Sequence, residues 1–470
     1  MFKHECGVVG IVSELKNTSY DLYFALRSLQ HRGQESAGIT VYDGKNMKTI
    51  KGMGLVDEVF GVKELMELKG YKGIGHVRYS TTGKSTVENA QPIFARTNIG
   101  HFALVHNGNL INYRKLRKGL EKRGAIFLTD SDSELILHLL AFSGQSDIIS
   151  ALKEILHKVK GAFSFIIMTP DLMLGVRDPY GFRPLVLGET EHGPILASES
   201  CAITLLKGKI VRDINPGEVV VIQNKGNINS FYFDSPTPKM CIFEYIYFAR
   251  PDSYIFGQNV HEFRVKLGEQ LAKEVSIDAD KIIPIPDSGI SASLGFSRES
   301  GIPYDRGLIR DHYTGRTFIN PSPKDRSFKV RMKLNPIKST IEGKKIILLD
   351  DSIVRGTTSK IIINLIREFN PKKVVFLSAS PMIKNPCYYG IDTPSRNELI
   401  AAKKTNEEIR KYLNADELHY LSLEGLKKIA GTRCDSFCYA CFNGEYPVKA
   451  DYSGLSKNIK ACEGKQIKLF

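Results

Sequence analysis

Ile346-Ile347-Leu348-Leu349-Asp350-Asp351-Ser352-Ile353-Val354-Arg355-Gly356-Thr357-Thr358 decides how the second half of this chain folds. Four consecutive apolar residues read as a buried parallel strand. The strand ends in two adjacent acids. The loop behind them holds Gly356 and the hydroxyls of Ser352, Thr357 and Thr358, and an apolar helix starts at about Thr358. In an open parallel sheet, ligands bind outside the carboxyl ends of the strands. The site suits a sugar phosphate, with acids for ribose hydroxyls and backbone N–H groups at a helix N-terminus for the phosphate. Two neighbouring carboxylates repel each other, and a diol or a magnesium ion relieves that repulsion.

The surrounding residues repeat this rhythm. Strands at 281–285, 346–349 and 373–378 alternate with helices at about 260–274, 290–299 and 358–368, which predicts a doubly wound parallel sheet. Residues 395–430 read as helical. Lys281–Ile290 is a second apolar strand, running into Asp287-Ser288-Gly289 before a helix, a loop able to hold pyrophosphate through backbone donors. The segment 306–338 is rich in Arg and Lys and reads as a basic lid over a polyphosphate.

Asp234-Ser-Pro-Thr-Pro-Lys239 reads as a linker. Before it, strands are expected at 7–12, 163–168, 172–176, 184–188 and 218–222, with a helix at 19–30. Ser131-x-x-Glu134 has the form of a capping box at the start of another helix. Cys6 lies almost at the N-terminus in Cys6-Gly7-Val8-Val9-Gly10-Ile11. A free thiol is a weak nucleophile at neutral pH, but removal of residues 1–5 gives Cys6 an α-amino group as an adjacent base. Arg78, in Gly75-His76-Val77-Arg78, suits a substrate carboxylate. Asn107 and Gly108, in His106-Asn107-Gly108-Asn109-Leu110, offer a side-chain amide and a backbone N–H to an oxyanion. Asp132 suits a substrate ammonium.

A chain of 470 residues has room for two or three domains. Its formal net charge of +14 favours polyphosphate substrates. No long Lys/Arg tract or nucleic-acid-binding module is recognisable, so no nucleic-acid partner is expected. No apolar run approaches the ~18–20 residues of a membrane span, and no long secretory apolar region opens the chain. A cytoplasmic protein without membrane attachment is expected. Eight cysteines then point to metal, catalysis or core filling rather than a disulfide framework. Cys438-x-x-Cys441 has metal-ligand spacing, and with Cys241 and Cys387 it could hold a [4Fe–4S] cluster or zinc. Cys434-x3-Cys438-x2-Cys441 also has the triplet spacing of radical enzymes that use S-adenosylmethionine. Too little chain follows Cys441 for their barrel, which leaves Cys434 without a role. Cys201 and Cys462 read as structural or surface residues.

The 346–358 stretch resembles the PRPP-binding signature of type I phosphoribosyltransferases. The segments around Cys6, Leu29–Gly38, Gly75–Thr81, His106–Leu110, Ser131–Glu134 and Arg177–Pro184 resemble the class II, N-terminal-nucleophile glutamine amidotransferases. Together they resemble the amidophosphoribosyltransferase family, in its subclass with an N-terminal propeptide and a structural [4Fe–4S] cluster. The resemblance implies an αββα sandwich over 6–235 after a propeptide at 1–5, then a phosphoribosyltransferase domain over 236–470 with a helical C-terminal part. It implies Cys6 as nucleophile, Asn107 and Gly108 at the oxyanion, and Arg78 and Asp132 on glutamine. PRPP falls to Asp287, Ser288, Gly289, Asp350, Asp351, Ser352, Arg355, Gly356, Thr357 and Thr358. Ser288, Asp350 and Asp351 fall to Mg2+, and Cys241, Cys387, Cys438 and Cys441 to the cluster. The implied reaction moves ammonia from glutamine to C1 of PRPP, giving phosphoribosylamine, glutamate and pyrophosphate at the start of purine synthesis. Purine-nucleotide feedback and a homotetramer are implied as well. A PRPP-sensing regulator is the alternative of another class, but such regulators carry a DNA-binding module. A class II amidotransferase with another acceptor, such as a hexosamine synthase, would need an acceptor domain in place of the PRPP motif.

Overall fold

The computed structural model describes residues 6–79, 85–224, 226–311, 333–391 and 395–450. The expectations for residues 1–5, Ser80-Thr81, Cys462 and the central part of the basic lid lie outside the described residues.

Among the described residues, the first half forms two antiparallel sheets stacked face to face. The first runs, in spatial order, Lys209–Asp213, Val186–Thr190, Gly193–Ala197, Gly7–Val12, Lys72–Arg78, Ser36–Tyr42, Met47–Met53. The second runs Ile228–Tyr232, Glu218–Gln223, Leu172–Arg177, Gly161–Met168, Gly100–Leu110, Ile93–Thr97. Val8, Val12 and Ile74 of one sheet pack on Ala103, Val105, Ile166 and Met168 of the other, which gives the layer between them an apolar centre. The outer face of the first sheet is covered by the helices Thr18–Ser28 and Ser200–Leu205. That of the second is covered by Glu134–Ala141 and Ile148–Leu156. The result is an αββα sandwich. The strand Gly7–Val12 is buried throughout because it sits centrally in its sheet, under a helix on one side and the second sheet on the other.

Among the described residues, the second half is built on four parallel strands in the order Lys281–Pro284, Lys345–Asp350, Lys373–Ser378, Glu417–Tyr420. The helices Val260–Glu274, Ile290–Ser300 and Thr357–Arg367 flank this sheet, and its two faces carry separate cores. Pro284 is in register with Leu349, which carries the loops after both strands to the same edge.

Two expectations are corrected, and a third gains detail. Residues 395–430 are not all helical: Glu417–Tyr420 is the fourth parallel strand, between the helices Asn406–Leu413 and Leu423–Ala430. Its short, polar sequence hides an edge strand. At the two ends of the basic segment 306–338, Leu308–Arg310 and Leu334–Pro336 pair as an antiparallel ribbon. The capping box at Ser131 does not form. The Glu134 carboxylate is taken at 2.7 Å by the Leu128 N–H, the Thr129 N–H and the Thr129 hydroxyl, and the helix starts at Glu134. Asp132 therefore stands before the helix rather than in its first turn.

Candidate active site

In the sandwich, Gly7 is in register with Val77, so Cys6 and Arg78 lie side by side at the ends of two central strands. Cys6 Sγ lies 3.5 Å from the Tyr79 carbonyl, and its thiol is nearly enclosed. Burial pushes that thiol up to about 11, against the attraction of Arg78 and with Asp132 adding to the rise. Cys6, Arg78 and Asp132 thus share one electrostatic neighbourhood. The protonated thiol needs a base before it can attack. Asp132 Oδ2 accepts from the Leu110 N–H at 2.9 Å, which ties it to the strand bearing Asn107.

That strand is held against the first sheet by His76, whose Nε2 meets the His106 carbonyl at 3.1 Å. Burial lowers His76 to about 3, so its imidazole is neutral and donates through Nε2. The next residue, Asn107, is buried, and among the described residues its Nδ2 has no hydrogen-bond partner. A buried donor left without an acceptor costs about 1–3 kcal/mol. Such a donor can meet an acceptor oxygen brought by a ligand. Gly108 follows with φ +148, and a Cβ there would stand 2.1 Å from the Ala162 carbonyl oxygen, so only glycine keeps the strand closed.

At the edge of the parallel sheet, the Ser288 hydroxyl donates to Asp350 Oδ1 at 3.2 Å. The two loops that the sequence singles out are therefore in contact. Asp350 is the last residue of its strand and also accepts from the Asp351 N–H at 2.9 Å, while Ser352 Oγ donates to Asp351 Oδ2 at 2.5 Å. Both acids are buried. Burial first, and the charge of Asp351 second, push the Asp350 carboxyl well above the usual range. Gly289 precedes the helix Ile290–Ser300, and Gly356 precedes Thr357–Arg367 with φ +70. Both loops therefore present helix N-termini beside the acids. Asp287 pairs with Arg310 at the root of the basic ribbon, and Arg355 pairs with Glu398 at 3.3 Å.

Sequence reasoning missed two neighbours of this site. Arg264 is fully enclosed, donates to the Tyr245 and Ala249 carbonyls, and feels the Asp351 charge; burial lowers it to about 10. Its signal was an arginine on the apolar stripe Val260, Leu267, Leu271 of its helix. Tyr247 lies in the field of both acids, and burial with those charges raises its phenol.

Cys241 and Cys438 are in register on paired parallel strands, and with Cys387 and Cys441 they line one cavity of ≈ 20 Å³ beneath Phe182, Tyr389 and Tyr446. Burial and the charges of the other three thiols raise Cys441. None of these thiols is in a disulfide. Among the described residues, no three His, Cys, Asp or Glu side chains could hold one metal ion between them. This is compatible with a cluster, in which each thiolate ligates a different iron. An all-sulfur donor set suits iron–sulfur chemistry.

An αββα sandwich with a strand-end cysteine, joined to a parallel sheet with paired acids, defines a class II glutamine amidotransferase fused to a phosphoribosyltransferase. Comparison with known proteins agrees. A "Glutamine amidotransferase domain" is matched over residues 76–205. Amidophosphoribosyltransferase 2, chloroplastic, of Arabidopsis thaliana is 49% identical over 95% of this chain and 80% of its own length. The amidophosphoribosyltransferase of Methanocaldococcus jannaschii is 47% identical over 96% and 99%. The solved glutamine PRPP amidotransferase of B. subtilis, complexed with ADP and GMP, superposes with a TM-score of 0.90 at 44% identity, covering 95% of this chain and 98% of that one. The chain belongs to the amidophosphoribosyltransferase family, and it is an enzyme.

Proposed function

We propose that this chain hydrolyses glutamine at Cys6 and delivers the ammonia to C1 of PRPP, giving phosphoribosylamine, glutamate and pyrophosphate. The observation that carries this reading is the coexistence in one chain of a buried Cys6–Arg78–Asp132 group near an orphaned amide donor and of a Ser288–Asp350 contact at a sheet edge. With residues 1–5 removed, the Cys6 α-amine takes the thiol proton and Sγ attacks the amide carbon. Arg78 holds the substrate carboxylate and Asp132 its ammonium. Asn107 Nδ2 and the Gly108 N–H receive the developing oxyanion. The α-ammonium returns its proton to the departing nitrogen, ammonia leaves, and water resolves the thioester.

At the second site, Asp350 and Asp351 accept from the ribose hydroxyls. Ser352, Arg355, Gly356, Thr357 and Thr358 hold the 5′-phosphate, and Asp287, Ser288 and Gly289 hold the pyrophosphate. Ammonia then adds to C1 as pyrophosphate leaves. Mg2+ held by Ser288, Asp350 and Asp351 would neutralise charge on the leaving group. A [4Fe–4S] cluster on Cys241, Cys387, Cys438 and Cys441 would be structural, tying strand ends to the loop at Cys387.

The ADP and GMP in the B. subtilis protein support purine-nucleotide feedback here, and we extend the proposal to a homotetramer. We extend the proposal to a reducing, cytoplasmic setting, in which thiols outside disulfides persist; among the described residues no helix is long and apolar enough to cross a membrane. The test is glutamate release by purified protein with and without PRPP. Release that PRPP stimulates, from a chain whose mass begins at Cys6, is expected. Absence of PRPP-dependent release overturns the reading.

A further inference from the structure

Four charged side chains are buried together where the two halves meet, and one of them touches the nucleophile's backbone. Arg32 Nε donates to the Cys6 carbonyl at 3.0 Å. One terminal nitrogen of Arg32 donates to Glu199 Oε1 at 2.5 Å and to Glu244 Oε2 at 3.1 Å; the other donates to Glu244 Oε1 at 2.8 Å. Glu244 also receives Arg183 at 3.3 Å. Arg32, Arg183, Glu199 and Glu244 are all buried, two cations against two anions. Glu244 opens a π-helical turn, Glu244–Phe248, packed in the core of the second half. A second bridge lies close by. Arg183 donates twice to the Tyr389 carbonyl, at 2.8 and 2.6 Å. Asn109 Nδ2 donates to the Tyr388 carbonyl at 2.9 Å. Gly390, with φ +105, lies so close that a Cβ on it would stand 3.1 Å from Gly108 Cα.

The second half thus grips both parts of the glutaminase site: the nucleophile's carbonyl through Glu244 and Arg32, and the oxyanion strand through the loop at 387–391. We propose that Glu244, acting through Arg32, and the Tyr388 carbonyl, acting through Asn109, are positioning groups for glutamine hydrolysis, so that the glutaminase site is completed by the phosphoribosyltransferase half. This rests on reading Cys6 as the nucleophile. A guanidinium fork saturated by carboxylates has one orientation. Without Glu244 the fork can turn onto Glu199 and release the Cys6 carbonyl. Without the Asn109 contact, the Asn107–Gly108 peptide loses its outer support. Neither Glu244 nor Asn109 is among the residues taken above to hold PRPP.

The test uses the full-length, processed protein with Glu244→Gln and, separately, Asn109→Ala, whose partly exposed side chain makes it the safer variant for folding. Three quantities are read: kcat and KM for glutamine, and PRPP amination driven by free ammonia. The expected result is a fall in glutamine kcat of about tenfold or more, because small misplacements of reacting groups are costly, with KM and ammonia-driven amination changed by less than about threefold. If Glu244→Gln fails to fold, Asn109→Ala decides by the same criterion. Unchanged glutamine kcat overturns the proposal, and so does an equal fall in both activities, which marks general damage. Cys6→Ala is the separate control: glutamine hydrolysis surviving in it removes the nucleophile assignment, whatever Glu244 does.

Discussion

Asn109 Nδ2 donates to the backbone carbonyl of Tyr388 at 2.9 Å, across 279 residues of sequence. Through this bond a loop of the second half, carrying Cys387, rests on the strand that bears Asn107 and Gly108, the oxyanion donors proposed above. The two halves are therefore built against each other at the glutaminase site.

The first prediction concerns the nucleophile. Burial holds the Cys6 thiol at about 11, so alkylation of an unprocessed chain should be slow at neutral pH and should accelerate up to that region. Once Cys6 is the first residue, its α-amine, ordinarily near ~7.7–8.0, becomes the base. The inflection of glutamine hydrolysis against pH should then fall near ~8. Mass-resolved alkylation rates of both forms test this, and identical profiles would count against the free-amine mechanism.

Asp350 carries opposite costs in the free and bound protein. Its carboxyl is raised by burial and by Asp351. A raised carboxyl favours folding only while protonated, so its contribution is present below the unfolded pKa and lost as pH rises through the folded one. Asp350→Asn should therefore raise the Tm of ligand-free protein at pH 7. It should also lower kcat/KM for PRPP by about a hundredfold or more, since hydrogen bonds to charged groups contribute about 1.5–3 kcal/mol each. Calorimetry and kinetics on one preparation read both signs.

Glu199 behaves in the other direction. Burial opposes its charge, but His31 and Arg32 dominate and hold its carboxyl far below the usual range. Its stabilisation is present above the unfolded pKa of ~4.3 and lost as pH falls below it. Glu199→Gln should destabilise the protein by about 3–5 kcal/mol at pH 7, the cost of breaking a buried pair. Denaturant titrations should show that difference shrinking in acid.

Iron content should separate the cysteines. Anaerobically purified protein should be brown, and Cys438→Ser or Cys441→Ser should lose the iron and the colour. Cys434→Ser should keep both, because Cys434 does not line the common cavity. A colourless, iron-free and fully active preparation would remove the cluster.

Much of the parallel sheet was legible, because a strand buried on both faces leaves an unbroken apolar run such as Ile346–Leu349. The sandwich was less so. Lys72–Arg78 contains Gly73 and Gly75, which weaken a strand signal. The structure gives the reason: a Cβ at either would collide with Leu22 or Leu26 of the covering helix. The Asp350–Asp351 pair could be singled out because two acids end an unbroken apolar run, and Asn107 because it stands beside Gly108. Glu244 could not, because nothing local marks a glutamate whose partners, Arg32 and Arg183, are brought to it only by the joining of the two halves.

The central claim is that amide nitrogen released at Cys6 reaches C1 of PRPP within the same protein. The most direct measurement supplies glutamine labelled with heavy nitrogen in its amide, PRPP, and an excess of unlabelled ammonium to the processed enzyme, and follows the isotope in the aminated sugar phosphate. Product carrying predominantly the amide label is the expected result. Product whose nitrogen matches the ammonium in the medium would contradict it.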